Sequence, residues 1–393
     1  MLLQKGSLVE INTIIDKHSF NHIDFMRYII PALLIALFIH SGAKAQKADS
    51  TMSFEEYDPV STLVIPSKKV TRAKFPFIDV HSHHWRMATQ DLEKLASEMD
   101  DLNMKVIVNL SGGFGTQLKA ITDNIERSKS AKRFIVFANI NFSGIDEKGW
   151  TERAVEQLEE DYNNGAQGIK IFKNLGLTVL DSNGKRVATD DERIDPVWAK
   201  AGELGIPVLI HTGEPAVFWA PIDEKNERWL EMKNFPDRHR GDSSKYPSWE
   251  VIMAEQWNVF RKHPNTNFIN AHFGWMANDL VRLGKHLDEF PNVYTETAAI
   301  IAELGRQPNF AKDFFIKYQD RLLFGKDTYR PEEYYTYFRI LESNDEYFDY
   351  FRKRHAFWKM YGLNLPDNVL KKIYYKNALN IIPGIDKSLF PNN

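Results

Sequence analysis

The chain has 393 residues, 43% hydrophobic and 13% aromatic, enough for a large core built as one big α/β domain or two smaller ones. Lys and Arg number 50 against 53 Asp and Glu, and the resulting net charge of −3 leaves no electrostatic footprint for nucleic acid. Cysteine is absent, which excludes disulfides, thiolate nucleophiles and sulfur-ligated metals and leaves His, Asp, Glu and Lys as the strong metal donors.

Residues 1–45 read as a leader. Met26-Arg27 is a short basic start, Ile29 to Ile39 is an apolar run, and Ser41-Gly42-Ala43-Lys44-Ala45 ends in a small-x-small pattern before Gln46. The run falls short of the roughly 20 apolar residues a spanning helix needs. The expectation is a signal peptide cleaved after Ala45 and a mature chain with no membrane span, periplasmic or secreted, with a membrane anchor as the competing reading. The 25 residues before Met26 are polar and of mixed charge, which no signal peptide requires, so translation is expected to start at Met26.

A polar linker, residues 46–74, leads into a single domain over 75–393. Strand-like apolar runs occur at Phe75 to His81, Lys105 to Leu110, Phe134 to Asn139, Gln167 to Phe172, Ile206 to His211, Asn267 to His272, Asn292 to Thr297 and Arg321 to Asp327. Between them lie helix-period segments at Asp91 to Asp101, Thr116 to Ser128, Thr151 to Asn163, Glu250 to Lys262 and Met276 to Phe290, several opened by a Thr, Ser or Asp cap. Eight βα units predict a distorted (β/α)8 barrel of the TIM type, with a long insertion after strand 5 and extra C-terminal helices. An open doubly wound sheet is the runner-up, but no glycine-rich phosphate fingerprint follows the first strand. Ser111-Gly112-Gly113-Phe114-Gly115 has no adjacent Lys-Ser/Thr and reads as a tight βα turn.

In the first strand, alternation sets Asp79, His81 and His83 on one face and Ile78 and Val80 on the other. Two imidazoles aimed at one point suit a divalent metal better than a core. Barrel chemistry sits at the C-terminal ends of the strands. His81 and His83 end the first run, Lys170 lies late in the fourth, His211 ends the fifth, His272 the sixth and Asp327 the eighth. Leu209 with His211, Asn270 with His272, and Gly325 with Asp327 share the inward parity. His239, His263, His286 and His355 fall in loops or helices, where a solvated role is the default, and His84 stays open.

The motifs Asp79-x-His81-x-His83, Ile210-His211-Thr212, Ala271-His272-Phe273-Gly274 and Leu323-Phe324-Gly325-Lys326-Asp327 together resemble the amidohydrolase superfamily, in its amidohydrolase 2 branch. That branch includes aminocarboxymuconate semialdehyde decarboxylase and related metal-dependent hydrolases. The similarity runs from about Phe75 to Ile382, and Asn377-Ala378-Leu379-Asn380-Ile381 resembles the branch's C-terminal motif. The resemblance implies His81, His83 and His211 as metal ligands and Asp327 as a further ligand that carries the proton. It sets His272 beside the metal as a second base or electrostatic group. Three imidazoles and a carboxylate suit one Zn²⁺ per chain, with Mn, Fe or Ni also accepted by such donors. Water activated by the metal is the expected nucleophile, on an ester, lactone or amide of a small molecule. Non-oxidative decarboxylation of an aromatic or muconate-like acid is the alternative that the resemblance keeps open; a non-catalytic binding barrel is the third class. Members of the branch are commonly homodimers.

Lys170 carries two readings. It has the parity of the carboxylated lysine that bridges two metals in binuclear relatives, and it equally suits binding of a substrate carboxylate or pairing with an acid. Lys173, of opposite parity, is expected to be solvated. Substrate recognition is expected from the excursion Thr212 to Ser248, with Glu214 and Trp219 closest in sequence to His211, although Trp229 and Trp249 equally suit pinning the loop to the barrel. Arg330 suits clamping an anionic substrate or pairing with Glu332 or Glu333. The aromatic-rich stretch Tyr334 to Tyr361 suits a helical core face or a subunit contact, with carbohydrate stacking as the other option.

Overall fold

The computed structural model describes residues 51–66 and 69–391. The leader, the start at Met26 and the cleavage after Ala45 lie outside the described residues. The chain divides into Met1–Val64 and Ile65–Asn393. In the first unit Ser53 and Glu56 close a turn, with Ser53 N–H donating to the Glu56 carboxylate at 2.9 Å. All that follows concerns the second. No helix among the described residues is long and apolar enough to cross a membrane.

The strands are β1 (Phe77–Ser82), β2 (Met104–Asn109), β3 (Phe134–Val136), β4 (Ala138–Asn139), β5 (Ile169–Ile171), β6 (Val208–Ile210), β7 (Phe268–Asn270), β8 (Val293–Glu296) and β9 (Leu322–Leu323). They pair in parallel and in chain order, β1 to β3 in one run and β4 to β9 in another. Phe137 alone separates β3 from β4. Its N–H still reaches Asn109 O at 3.0 Å while Ala138 N–H reaches Gly168 O at 2.9 Å, so the two pieces act as one bent strand between β2 and β5. The bend follows from packing: the Phe137 ring is buried directly against Gly168, where an added Cβ would lie 2.5 Å from it. The other seam is closed by Val80 N–H on Phe324 O at 3.0 Å and by a parallel bridge between Ser82 and Asp327. Counted this way the molecule is an eight-stranded closed barrel, the expected (β/α)8 fold.

The helices form where capping and periodicity direct them. Helix α1 (Leu92–Leu102) starts at Asp91, whose carboxylate accepts from Lys94 N–H at 3.0 Å, and it buries Leu92, Leu95, Ala96, Met99 and Leu102 along one face. It stops at Asn103, which adopts the left-handed conformation at φ 68°. Helix α2 (Thr116–Arg127), α3 (Trp150–Asn163) and α4 (Asp195–Glu203) follow. The insertion then carries the short α5 (Trp229–Asn234), and α6 (Trp249–Lys262) begins at the Ser248 cap. Helix α7 (Leu280–Glu289) opens at the Asp279 cap, whose carboxylate accepts from Arg282 N–H, four residues later than its apolar period suggests.

Helices α8 (Ile301–Gly305), α9 (Pro308–Lys317) and α10 (Pro331–Glu342) complete the shell. A closing segment follows: α11 (Asp367–Lys371), a π-helical turn at Lys372–Lys376, and α12 (Asn377–Ile381). Phe324 N–H donates to Ile373 O at 3.0 Å, which docks this segment on β9. Tyr334, Tyr337 and Phe338 of α10 are fully buried, so much of the aromatic-rich stretch is a helical core face.

Candidate metal centre

Strand β1 is buried along its whole length and delivers His81 at its end and His83 just beyond. His81 Nδ1 lies 2.9 Å from Glu296 Oε1, an oxygen that also accepts from His272 N–H at 2.8 Å. Nδ1 is therefore the protonated nitrogen, and Nε2 presents a lone pair to the barrel mouth. His83 Nδ1 lies 2.8 Å from the Ser111 hydroxyl, which can donate or accept. The two Nε2 atoms converge on Asp327 Oδ1, at 3.8 Å from His81 and 3.5 Å from His83. One donor atom from each of these three residues lies within 4.8 Å of the others, close enough to share an ion. Burial pushes the His81 pKa well below its usual value and that of His83 down to about 2, so both are neutral, the form in which imidazole ligates.

Asp327 sits in an uncommon backbone conformation for its type, φ 87°, with its N–H on His81 O at 2.6 Å. Such a residue costs about 1–3 kcal/mol and persists only where its surroundings over-determine it. Here they do. Lys326 N–H donates to Asp79 Oδ1 at 3.2 Å, Asp79 also accepts from Tyr334 OH at 2.5 Å, and Lys326 Nζ pairs with Glu333. Alternation sets Asp79 beside His81 and His83, but its bonds from Lys326 N–H and Tyr334 OH hold its carboxylate in the seam against β9 and α10 instead. Burial raises its pKa to about 7, and raises that of Asp327 as well.

His272 is not placed by strand parity. β7 ends at Asn270, and His272, Phe273, Gly274 and Trp275 all have φ between 54° and 58°. This left-handed turn carries the ring to Ala298, whose carbonyl oxygen is 2.8 Å from His272 Nδ1. A carbonyl only accepts, so Nδ1 bears the proton and Nε2 is bare. His211 Nδ1 lies 3.3 Å from that Nε2 and must be the donor. His211 Nε2 is then an acceptor, buried and with no hydrogen-bond partner. A buried lone pair left this way is the vacancy a metal ligand would show. His211 stands outside the His81–His83–Asp327 group and turns towards His272, while His81, His272 and Glu296 form a second group within 4.8 Å.

Lys170 is 1% exposed, with Nζ 3.3 Å from His81 Nε2, and burial lowers its pKa to about 7. Lys173 is not simply solvated: it pairs with Glu214, which also lies 3.6 Å from Arg240. Glu214 is thus committed to protein cations. Trp219 Nε1–H donates to Pro247 O at 2.8 Å and Trp249 Nε1–H to Glu214 O at 3.0 Å, both pinning the insertion. Arg228 is buried between Glu231 and Glu303. The cavity that the insertion forms with Trp275 and Ile300 measures about 20 Å³, space for about one water. Arg330 is exposed, and Glu333, one of its expected partners, pairs instead with Lys326 and Arg352. His84 is buried between Ser82 Oγ and Gln90, a packing role. The histidines expected to be solvated have partners too: His263 bonds Asp195 at 3.0 Å and His286 stacks on Trp257 at 3.8 Å.

Glu296 is the residue that the sequence left unmarked. Fully buried, it accepts from His81 Nδ1, His272 N and Ala298 N. A lone acid at the end of an otherwise uncharged strand was the available signal.

Residues 138–383 match the family model described as amidohydrolase. The chain belongs to the amidohydrolase family. This amidohydrolase is an enzyme, and its donor set can hold a divalent metal. No curated protein matches it significantly. Among solved structures it is similar to an uncharacterised TIM-barrel protein from Bordetella bronchiseptica, at 15% identity over 79% of this chain and 99% of that one, TM-score 0.49. It is also similar to a 2,6-dihydroxybenzoate decarboxylase, at 13% identity over 78% and 99%, TM-score 0.48. A third is a 4-oxalomesaconate hydratase from Rhodopseudomonas palustris, at 15% identity over 80% and 97%, TM-score 0.47. These likenesses are too distant to assign a reaction.

Proposed function

We propose that this amidohydrolase is a metal-dependent hydrolase of a small-molecule ester, lactone or amide, holding one divalent metal between His81, His83, His211 and Asp327. The observation that supports this reading is tautomeric: the hydrogen bonds at Nδ1 of His81 and His211 leave both Nε2 atoms as lone pairs, that of His81 beside the Nε2 of His83 and the carboxylate of Asp327. Zinc suits three imidazoles and a carboxylate with a position left open.

Such a metal supplies Lewis acidity towards a carbonyl oxygen and a nucleophile drawn from water at neutral pH. Asp327 Oδ1, 3.5 Å from His83 Nε2, would take the proton and return it to the leaving group. His272 has no proton on Nε2 to offer an oxyanion. It acts through His211, fixing that ring by the 3.3 Å contact. Lys170, whose Nζ lies 3.3 Å from His81 Nε2, brings a cation to the same space and suits a substrate carboxylate. The leader supports export, and N-terminal sequencing of the mature protein should begin at Gln46.

The test combines metal analysis of the purified chain with a screen of lactones, esters and amides, and with Asp327→Asn as control. About one ion per chain and turnover lost in Asp327→Asn supports the reading. Carbon dioxide release from a carboxylated substrate would replace hydrolysis by decarboxylation, and a chain that takes up no metal would refute both.

A further inference from the structure

Each of the four residues 296–299, where the chain leaves β8, binds a different group. Glu296 accepts from His81 Nδ1 and from His272 N–H. Thr297 Oγ1 donates to Gly325 O at 3.0 Å and accepts from Gly325 N–H at 3.2 Å, two residues before Asp327. The Ala298 carbonyl accepts from His272 Nδ1 at 2.8 Å. Ala299 N–H points the other way and donates to the hydroxyl of Tyr337 at 3.0 Å. Ala299 has φ 57°, a left-handed conformation that an L residue keeps only where its surroundings hold it.

Tyr337 belongs to α10 and is 1% exposed, so its hydroxyl must find its partners inside the protein. The oxygen accepts from Ala299 N–H, and the proton faces Lys326 O at 3.5 Å, a long bond. Lys326 precedes Asp327, and its own N–H is taken by Asp79, which Tyr334 holds from one turn earlier on α10. The Tyr337 hydroxyl therefore stands between the turn that holds His272 and the turn that delivers Asp327. On the His272 side the bonds run in series. Ala299 N–H meets Tyr337, His272 Nδ1–H meets Ala298 O, and His211 Nδ1–H meets His272 Nε2, ending at the bare Nε2 of His211.

We propose that Tyr337 is a positioning residue of the metal centre: its hydroxyl fixes the peptide group between Ala298 and Ala299, and that group sets the His272 ring and the direction of the His211 lone pair. The proposal rests on His211 being a metal ligand. The Ala298 C=O and the Ala299 N–H are the two ends of one planar peptide unit, so a bond to either end orients both. Tyr337 grips one end and His272 reads the other. Without the hydroxyl the plane is free to rock, the carbonyl swings off the His272 Nδ1–H, and the ring that holds His211 loses its reference.

Tyr337→Phe keeps the ring and its packing and removes only the oxygen. Phe338→Leu, on the same helix, loosens the core without removing a hydrogen bond. Cobalt(II) affinity by chelator competition, and the visible spectrum of the bound cobalt, which follows ligand geometry, are measured on the full chain for the parent and both variants. In metal-free protein carrying nitrogen-15 in its histidine rings, NMR follows exchange of the His272 Nδ1 proton, assigned by its loss in His272→Gln. Tyr337→Phe is expected to weaken cobalt binding and to speed that exchange, each on the order of tenfold, the worth of one buried hydrogen bond, and to shift the spectrum. Phe338→Leu should leave all three unchanged. Unchanged cobalt affinity and spectrum in Tyr337→Phe, or an equal loss in Phe338→Leu, would overturn the proposal. A parent that binds no cobalt would refute the metal-centre reading, and the exchange would then decide. Faster exchange in Tyr337→Phe supports the positioning role; an unchanged rate, or a proton already unprotected in the parent, removes it.

Discussion

Glu296→Gln is the substitution that tests the site most directly without touching a metal ligand. Oε1 of Glu296 accepts from His81 Nδ1 at 2.9 Å and His272 N at 2.8 Å, and Oε2 accepts from Ala298 N at 2.5 Å. Glutamine keeps one acceptor oxygen. Whichever way its amide turns, the NH2 group faces an N–H donor, and at least one buried donor loses its partner, at about 1–3 kcal/mol. The ring of His81 is then less firmly held, and loss of such a supporting bond lowers metal affinity by about 10–100-fold, equivalent to roughly 1.4–2.7 kcal/mol. Competition against a chromophoric chelator gives the affinity, and urea unfolding of the metal-free protein gives the stability term separately. A folded variant whose metal affinity stays within about twofold of the parent would refute the tautomer argument, since His81 would then need no acceptor at Nδ1.

Gly325→Ala should copy that phenotype from a residue with no side chain in the site, because its Cβ would fall 2.3 Å from Glu296 Oε2 and 2.9 Å from His81 Cβ; chelator competition again reads the loss. Arg228→Ala leaves Glu231 and Glu303 without their shared buried cation and should cost about 3–5 kcal/mol in urea unfolding. Asp161 has its pKa raised to about 6 by burial, above its unfolded value. Its folded form therefore binds the extra proton, and the stability it contributes is complete below about pH 4 and lost as pH rises through about 6. Asp161→Asn, which can still accept from Gly115 N–H, should flatten that part of the pH–stability curve; identical urea midpoint shifts between pH 4 and 7 in variant and parent would contradict it.

The barrel was legible because eight short apolar runs end in polar residues and alternate with capped amphipathic segments, a pattern that few other folds produce. His81 and His83 were legible for the same reason, lying on or next to a regular strand. Parity failed beyond the strand ends. His272 and Asp327 reach the site through positive φ angles, at 58° and 87°, which carry no sequence signature in residues other than glycine. Asp79 shares the parity of His81 yet faces the seam, since its partners Lys326 and Tyr334 lie far along the chain. Glu214 and Trp219 stand near His211 in sequence, and tertiary ion pairs and the Pro247 carbonyl engage both.

The barrel seam has a consequence for how the enzyme matures. His81 and His83 are carried by the first strand, whereas Asp327 follows the last and is held by the carbonyl of His81 at 2.6 Å. In the proposed ligand set His81 and His83 emerge early in synthesis, His211 midway and Asp327 near the end, so closing the circle is a contact of very long sequence separation, the slow kind. A partly made or partly folded chain exposes a two-histidine fragment of the site without its carboxylate, too weak a trap to hold an ion tightly. Full-strength metal uptake would therefore mark the moment the final strand docks, and its rate would time the completion of folding.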